Sequence, residues 1–183
     1  MVSPYRHPAE QAVAFLKALA ERHFSGVSVP DWFELTPQMD GFAVHHDGGL
    51  VLVYADWTSA GNNGGQWQIQ MSCALAADVE DVGGATAWVN AKNRNTTVGR
   101  YYCAVAQDGS RCCVVFEADV WGGLLDNLLS QHTQPVRDLL SGYLAACLET
   151  ATTESKDFAG QSGGRRLTGS LDDVVLLLTC TSG

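Results

Sequence analysis

The sequence predicts an α+β fold: a single antiparallel-rich five-stranded sheet with helices, in the order α-β-β-β-α-β-β-α. Three observations carry this. Two turn signals, Asp47-Gly48-Gly49 and Asp108-Gly109, each separate runs rich in β-formers. The segment Gln66 to Cys73 alternates apolar and polar residues with a period of two. Apolar stripes at helical spacing stand at both ends of the strand region. Such a pattern suits an antiparallel sheet with its helices mainly on one face.

The first helix spans Pro8 to His23. Val13, Leu16, Leu19 and Ala20 make its apolar stripe, and Pro8 suits the first turn. Gly26 and Pro30 break the pattern, and Trp32 to Leu35 reads as an extended lead-in or a short strand. Strands Phe42–His46 and Leu50–Ala55 then pair across a two-residue turn. Phe42, Val44, Val51 and Val53 share one face; Ala43, His45, Leu50, Leu52 and Tyr54 share the other. Both faces are apolar, so both need a cover. The Gly/Asn-rich stretch from Thr58 to Gly65 reads as a hairpin loop. It lacks the following helix and Lys-Ser/Thr pair of a phosphate cradle.

In the third strand, Trp67, Ile69, Met71 and Cys73 face the core. Gln66, Gln68, Gln70 and Ser72 face water. Asp78-Val79-Glu80-Asp81 reads as a solvated acidic turn, without the ligand spacing of a calcium loop, leading to a helix over Ala85 to Asn93. The next hairpin pairs Val105 with Cys112, Cys103 with Val114 and Tyr101 with Phe116 on the core face. Its other face pairs Tyr102 with Val115, Ala104 with Cys113, and Arg100 with Glu117 as opposite charges.

A helical stretch starts at Leu124, Leu125, Leu128 and Leu129. A second segment, with Thr133 as N-cap and Pro135 in its first turn, buries Val136, Leu139, Leu140, Tyr143, Leu144, Cys147 and Leu148. Thr150 to Ser170 is polar and Gly-rich and reads as a linker, and Val174 to Thr179 as a strand docking on a sheet edge or a partner chain. The expected division is a domain over 1–150, followed by a flexible linker and C-terminal apolar segment over 151–183.

Composition narrows the function. The 183 residues are 46% hydrophobic and 17% charged, which is globular. The formal net charge of −9 disfavours nucleic acid and anionic membranes as partners. No run approaches the roughly 20 apolar residues of a spanning helix, and Met1 to Glu10 lacks the apolar stretch of a signal peptide. A cytoplasmic location is expected. Cys73, Cys103, Cys112, Cys113, Cys147 and Cys180 form no C-x-x-C pair and read as buried thiols. His45 and His46 point to opposite faces and cannot readily share a metal; His7, His23 and His132 are isolated. No nucleophile elbow, zinc-helix or P-loop motif is present, so no catalytic residues, metal or cofactor are expected.

The block Trp88-Val-Asn-Ala-Lys-Asn93, followed by Val98-Gly-Arg-Tyr-Tyr-Cys103, resembles the YbjN family and the related type III secretion chaperone-like domains of the CesT kind. Asn90, Asn93, Gly99, Arg100 and Tyr102 carry the match. Lys92 stands where the family commonly has an aromatic residue, and Trp88 lies one turn earlier. The resemblance implies a peptide-binding, chaperone-like or regulatory module, often a homodimer, with no cofactor and no catalytic set. Asn90 and Asn93 are expected to bond backbone at the helix–hairpin junction.

The functional expectation is a non-enzymatic, chaperone-like protein that binds a peptide or protein partner. The alternative is a regulatory or immunity-type protein that neutralises one dedicated partner through its acidic surface. The expected partner surface is the sheet face of Leu50, Leu52, Tyr54, Tyr102 and Val115, an apolar strip that one layer of helices on the opposite face leaves bare; the alternative is a helix–sheet sandwich with the N-terminal helix packed on that face.

Overall fold

The structure, a computed structural model, describes residues 6–23, 40–46, 49–58, 66–121 and 133–181. Helix α1 (Arg6–His23) precedes strands β1 (Asp40–His46), β2 (Gly49–Thr58) and β3 (Gln66–Val79). Helix α2 (Val82–Asn93) leads to the hairpin of β4 (Arg100–Val105) and β5 (Cys112–Trp121). Helix α3 (Thr133–Glu149) follows, then a π-helical turn (Thr150–Glu154), α4 (Ser155–Ser162) and α5 (Leu171–Thr181). The strands form one five-stranded sheet in the order β1-β2-β3-β5-β4, every neighbouring pair antiparallel. This is the α+β fold of the sequence reading, with more helix after its last element.

Both hairpins keep the expected registers. Phe42 pairs with Val53 and Val44 with Val51; Tyr101 pairs with Phe116, Cys103 with Val114, and Arg100 with Glu117. The first face of the sheet is the main core. Phe42, Val44, Val51, Val53, Ile69, Met71, Val114 and Phe116 pack there under Val13 and Leu16 of α1, Leu140 and Leu144 of α3, and Phe158 of α4. Trp88 of α2 closes the hairpin end, with its ring 5.5 Å from Tyr101 and 4.6 Å from Phe158. The lead-in at 32–35, the turn at 47–48, the loop at 59–65 and the stretch from Leu124 to Leu129 lie outside the described residues.

Three expectations are corrected. First, β3 does not end at Cys73. It runs to Val79 through two irregularities, one between Ala74 and Ala76 and one between Ala76 and Val79. The acidic stretch therefore begins inside the strand's end, where Asp78 takes a positive φ of 56°. Asp81 caps α2 by accepting from the Gly84 amide at 2.9 Å.

Second, the polar side of β3 does not face water. Gln68, Gln70 and Ser72 are only 6%, 8% and 0% exposed. Alternation reports that two faces differ, not that the polar one is solvated.

Third, the segment after Thr150 is neither linker nor strand. It runs helically to Ser162, burying Phe158 and Ala159, and ends at Gly163 in the left-handed conformation (φ 69°). A Cβ on Gly164 would fall 2.7 Å from Val79 Cγ2 and 2.8 Å from Ala76 Cβ. Only glycine lets the chain pass so close to β3. Arg165 then bonds Ala77 in both directions, at 2.7 and 2.8 Å. Beyond it, Leu167 and α5 lie on the second face of the sheet.

The apolar run Val174–Leu178 is helical because of what precedes it. The Asp173 amide donates to Ser170 Oγ at 3.2 Å, and the Asp173 carboxylate accepts from the Thr168 and Gly169 amides at 2.8 and 3.2 Å. Ser170-Leu-Asp-Asp173 is thus a capping box with its acidic residue reaching back to the entering backbone. The buried Val174 and Leu177 then recur at helical spacing.

Candidate functional site

The second face of the sheet divides into an apolar half and a polar half. The apolar half holds Ala43, Leu50, Leu52, Ala74, Ala77, Cys113 and Val115. Here the expected bare strip is corrected. Leu50, Leu52, Tyr54 and Val115 are buried and Tyr102 is half-buried, because Leu167, Val174 and Leu177 cover the strip. The cover is α5, brought over by the crossing at Gly164. It is not α1, which packs on the first face. Each buried aliphatic side chain in this seam is worth about 1.5–3 kcal/mol of transfer free energy.

A groove of about 780 Å³ runs beside this seam, between the β4–β5 hairpin and α5. Val105, Arg111, Cys113, Leu176 and Cys180 line it, with Asp78 at its rim. Val105 is an exposed large apolar residue at this hairpin end, and Val175 is another on α5. The Cys113 and Cys180 thiols hydrogen-bond each other; this bond and burial push Cys113 up, and the same bond pulls Cys180 down. Both thiols are free, like the other four.

The polar half lies further along the same strands. Register puts Tyr54 beside Gln70, Gln70 beside Asp119, Ser72 beside Glu117, and Glu117 beside Arg100. Glu117 is 2% exposed and doubly held: Arg100 Nη2 donates to its Oε1 at 2.6 Å, and the Tyr102 hydroxyl to its Oε2 at 3.0 Å. The Arg100 guanidinium also lies over the Tyr102 ring, 5.8 Å from its centre. Burial, reinforced by Glu117, raises the Tyr102 hydroxyl well above its ordinary range.

Asp119 is served less well. Its Oδ2 is 3.8 Å from Arg100 Nη2, while its Oδ1 is buried without a hydrogen-bond partner. Burial and the neighbouring Glu117 push its pKa up to about 6, against the pull of Arg100 and Gln70. Gln68 Oε1 and Ser72 Oγ are likewise buried without partners. Buried polar atoms in native proteins nearly always have a partner, so three on one face call for an explanation.

Of the two motif asparagines expected to bond backbone at the helix–hairpin junction, Asn93 does so. Asn93 grips the backbone of Tyr101 from both sides: its Nδ2 donates to the Tyr101 carbonyl at 2.8 Å, and its Oδ1 accepts from the Tyr101 amide at 2.8 Å. Asn90 is exposed on α2. At Gly99 (φ 70°), a Cβ would run into the Glu117 carbonyl. Arg100 and Glu117 form the cross-strand pair already described.

The covering helix and the orphaned acceptors were missed in the sequence. The capping box Ser170-Leu-Asp-Asp173 signalled the first. Alternating Gln68, Gln70 and Ser72, facing a strand with Glu117 and Asp119 two residues apart, signalled the second. Among the described residues, no group of three or more His, Cys, Asp or Glu could hold a metal ion, and no helix is long and apolar enough to cross a membrane.

No curated protein matches the chain. The model of the YbjN family, described as "putative bacterial sensory transduction regulator", matches residues 14–149. That stretch runs from α1 to the end of α3 and holds the whole sheet, but stops short of the helix that covers its second face. The chain belongs to the YbjN family.

Proposed function

We propose that this chain is a non-enzymatic regulatory or chaperone-like module whose second sheet face binds a protein or peptide partner. Leu50, Leu52, Tyr54, Tyr102 and Val115 form the docking strip, and α5 occupies it until a partner does. One observation carries this reading: the matched family core ends at residue 149, and the strip is covered by Leu167, Val174 and Leu177, all beyond it. On this reading residues 1–150 are the binding domain and 151–183 are its intramolecular cover. The partner presents an amphipathic helix with the chemistry of α5, an apolar seam behind an acidic first turn.

The test uses full-length Leu177→Asp and a labelled peptide of residues 167–181, which contains no lysine or arginine. The substitution puts a charge under α5 and loosens the cover. Saturable binding of the peptide to the folded variant, at least tenfold tighter than to wild type, supports an exchangeable strip. A folded variant that ignores the peptide sinks the reading. A variant that dimerises by trading α5 between copies assigns the strip to a second copy of this chain.

The immunity-type reading keeps the same face but requires a single partner. Stoichiometric, one-to-one binding to one basic protein would favour it over a chaperone with several clients.

A further inference from the structure

We propose that the polar half of the second sheet face is a subsite for a guanidinium group, delivered by an arginine of the partner segment. This rests on the partner-binding reading of the face and names the chemistry of what docks there.

The argument starts from unmet acceptors. Asp119 Oδ1, Gln68 Oε1 and Ser72 Oγ are buried and unpartnered, and all can accept a hydrogen bond. Gln68 and Ser72 flank Gln70, which pairs directly with Asp119. They are therefore diagonal, same-face neighbours of Asp119, within reach of a long side chain lying across the two strands.

Charge points the same way. Glu117 already has Arg100 and the Tyr102 hydroxyl. Asp119 has the longer 3.8 Å contact with the same guanidinium and the Gln70 side chain, and its Oδ1 is left without a partner. Two carboxylates against one arginine leave the cluster one cation short. A divalent metal suits it poorly, since Arg100 stands in the carboxylate pair and little else offers anionic oxygen. A second guanidinium suits it well. Its planar donors can serve Asp119 and a flanking acceptor together, and it is more weakly hydrated than an ammonium, so it loses less on entering a half-buried site.

The site also has an open side. Asp119's side chain is 18% exposed and Arg100's is 64% exposed, and β4 is the edge strand of the sheet. The subsite thus continues the α5 seam along the strands. A helix or extended segment filling the seam could place an arginine there with its apolar residues still on the strip.

The probe is Nα-acetylarginine methylamide, titrated into the isotope-labelled full-length chain, with the citrulline and lysine analogues as controls. Citrulline keeps the shape and removes the charge. The expected result is saturable NMR shifts at the Gln68 and Gln70 side-chain amides and the backbone of residues 68–72 and 117–119. Arginine should bind at least tenfold tighter than citrulline. Asp119→Asn, which is isosteric, should abolish that preference while the spectrum keeps its native dispersion. Equal binding of arginine and citrulline overturns the proposal, as do shifts scattered over the acidic surface or none at these residues. An advantage for lysine reassigns the site to an ammonium. Because the 167–181 peptide, N-terminally acetylated, carries no lysine or arginine, its binding can succeed where the arginine titration fails, and the reverse, so the two readings fall separately.

Discussion

Arg165 Nη1 donates to Asp173 Oδ1 at 2.6 Å, tying the segment that crosses β3 to the first turn of the covering helix. The other carboxylate oxygen accepts from the Thr168 and Gly169 amides. One buried side chain therefore fixes both the crossing and the cap. Asp173→Ala should cost about 1–3 kcal/mol, the usual penalty for stranding such donors. The loss should be local. Amide exchange across Leu171–Thr181 should accelerate more than across β3, and equal acceleration in both would show that α5 does not open on its own.

The same carboxylate gives the cover a pH dependence. Burial pushes Asp173 up, but Arg165 and the two backbone amides outweigh it and hold its pKa at about 2. A depressed carboxylate adds stability above its unfolded value, about 4, and loses it as pH falls through the folded value. The α5 amides should thus lose protection between about pH 4 and pH 2. Protection that is flat across this window in wild type, or equally lost in Asp173→Asn, would contradict the assignment.

Cys113 reports whether the cover is on. It is buried beneath α5 and hydrogen-bonded to Cys180, which lies on α5 itself. A disulfide reagent should reach Cys180 first, since that thiol is half-buried and its pKa is lowered while Cys113's is raised. In Leu177→Asp, Cys113 should react faster by roughly tenfold or more, as local opening becomes easier. Unchanged Cys113 kinetics in a variant with mobile α5 amides would mean that something else shields it.

Asp119 acts in the opposite sense to Asp173. Its raised pKa of about 6 means that the folded state holds the proton more tightly than the unfolded chain. Its charge therefore weakens the fold above about pH 6, and this cost fades as pH falls toward 4. Asp119→Asn should raise stability at pH 7.5 by roughly 1 kcal/mol, after allowance for solvent screening, and change little near pH 4. Denaturant titrations at the two pH values check this. A loss of stability at pH 7.5 would mean that Asp119 is better paired than its geometry indicates.

The sheet was legible because its signals are local. Asp108-Gly109 marks one turn, which the structure closes with the Gly109 amide on the Ala106 carbonyl rather than as a two-residue turn, and each cross-strand pair from Arg100–Glu117 to Val105–Cys112 still follows by counting outward from the signal. The covering helix was harder to read. Val174–Leu178 is a short apolar run, which suits a strand or a helix equally until the cap before it is recognised. The polar half was misread for a related reason. Alternation placed Gln68, Gln70 and Ser72 together on one face, but whether that face meets water depends on residues far away in sequence. Nothing within β3 could show that Glu117 would stand beside Ser72, or that the chain would return to cover Leu52.

Asn93 offers a graded test of how the family motif supports this face. Its side chain makes two hydrogen bonds to the Tyr101 backbone, one as donor and one as acceptor. Asn93→Asp keeps the acceptor for the Tyr101 amide and loses the donor; Asn93→Ala loses both. Stability should fall in that order, with Ala costing about 1–3 kcal/mol. The effect should spread through Tyr101, whose ring lies 4.8 Å from Phe116 and whose hydroxyl donates to Glu154 at 2.9 Å. Tyr102, the next residue, holds Glu117 on the opposite face. A loosened β4 should therefore weaken the arginine preference of the polar half without touching any residue of it. If Asn93→Ala lowers stability as expected yet leaves the Gln68 and Gln70 side-chain shifts unchanged, the hairpin anchor and the second face are independent.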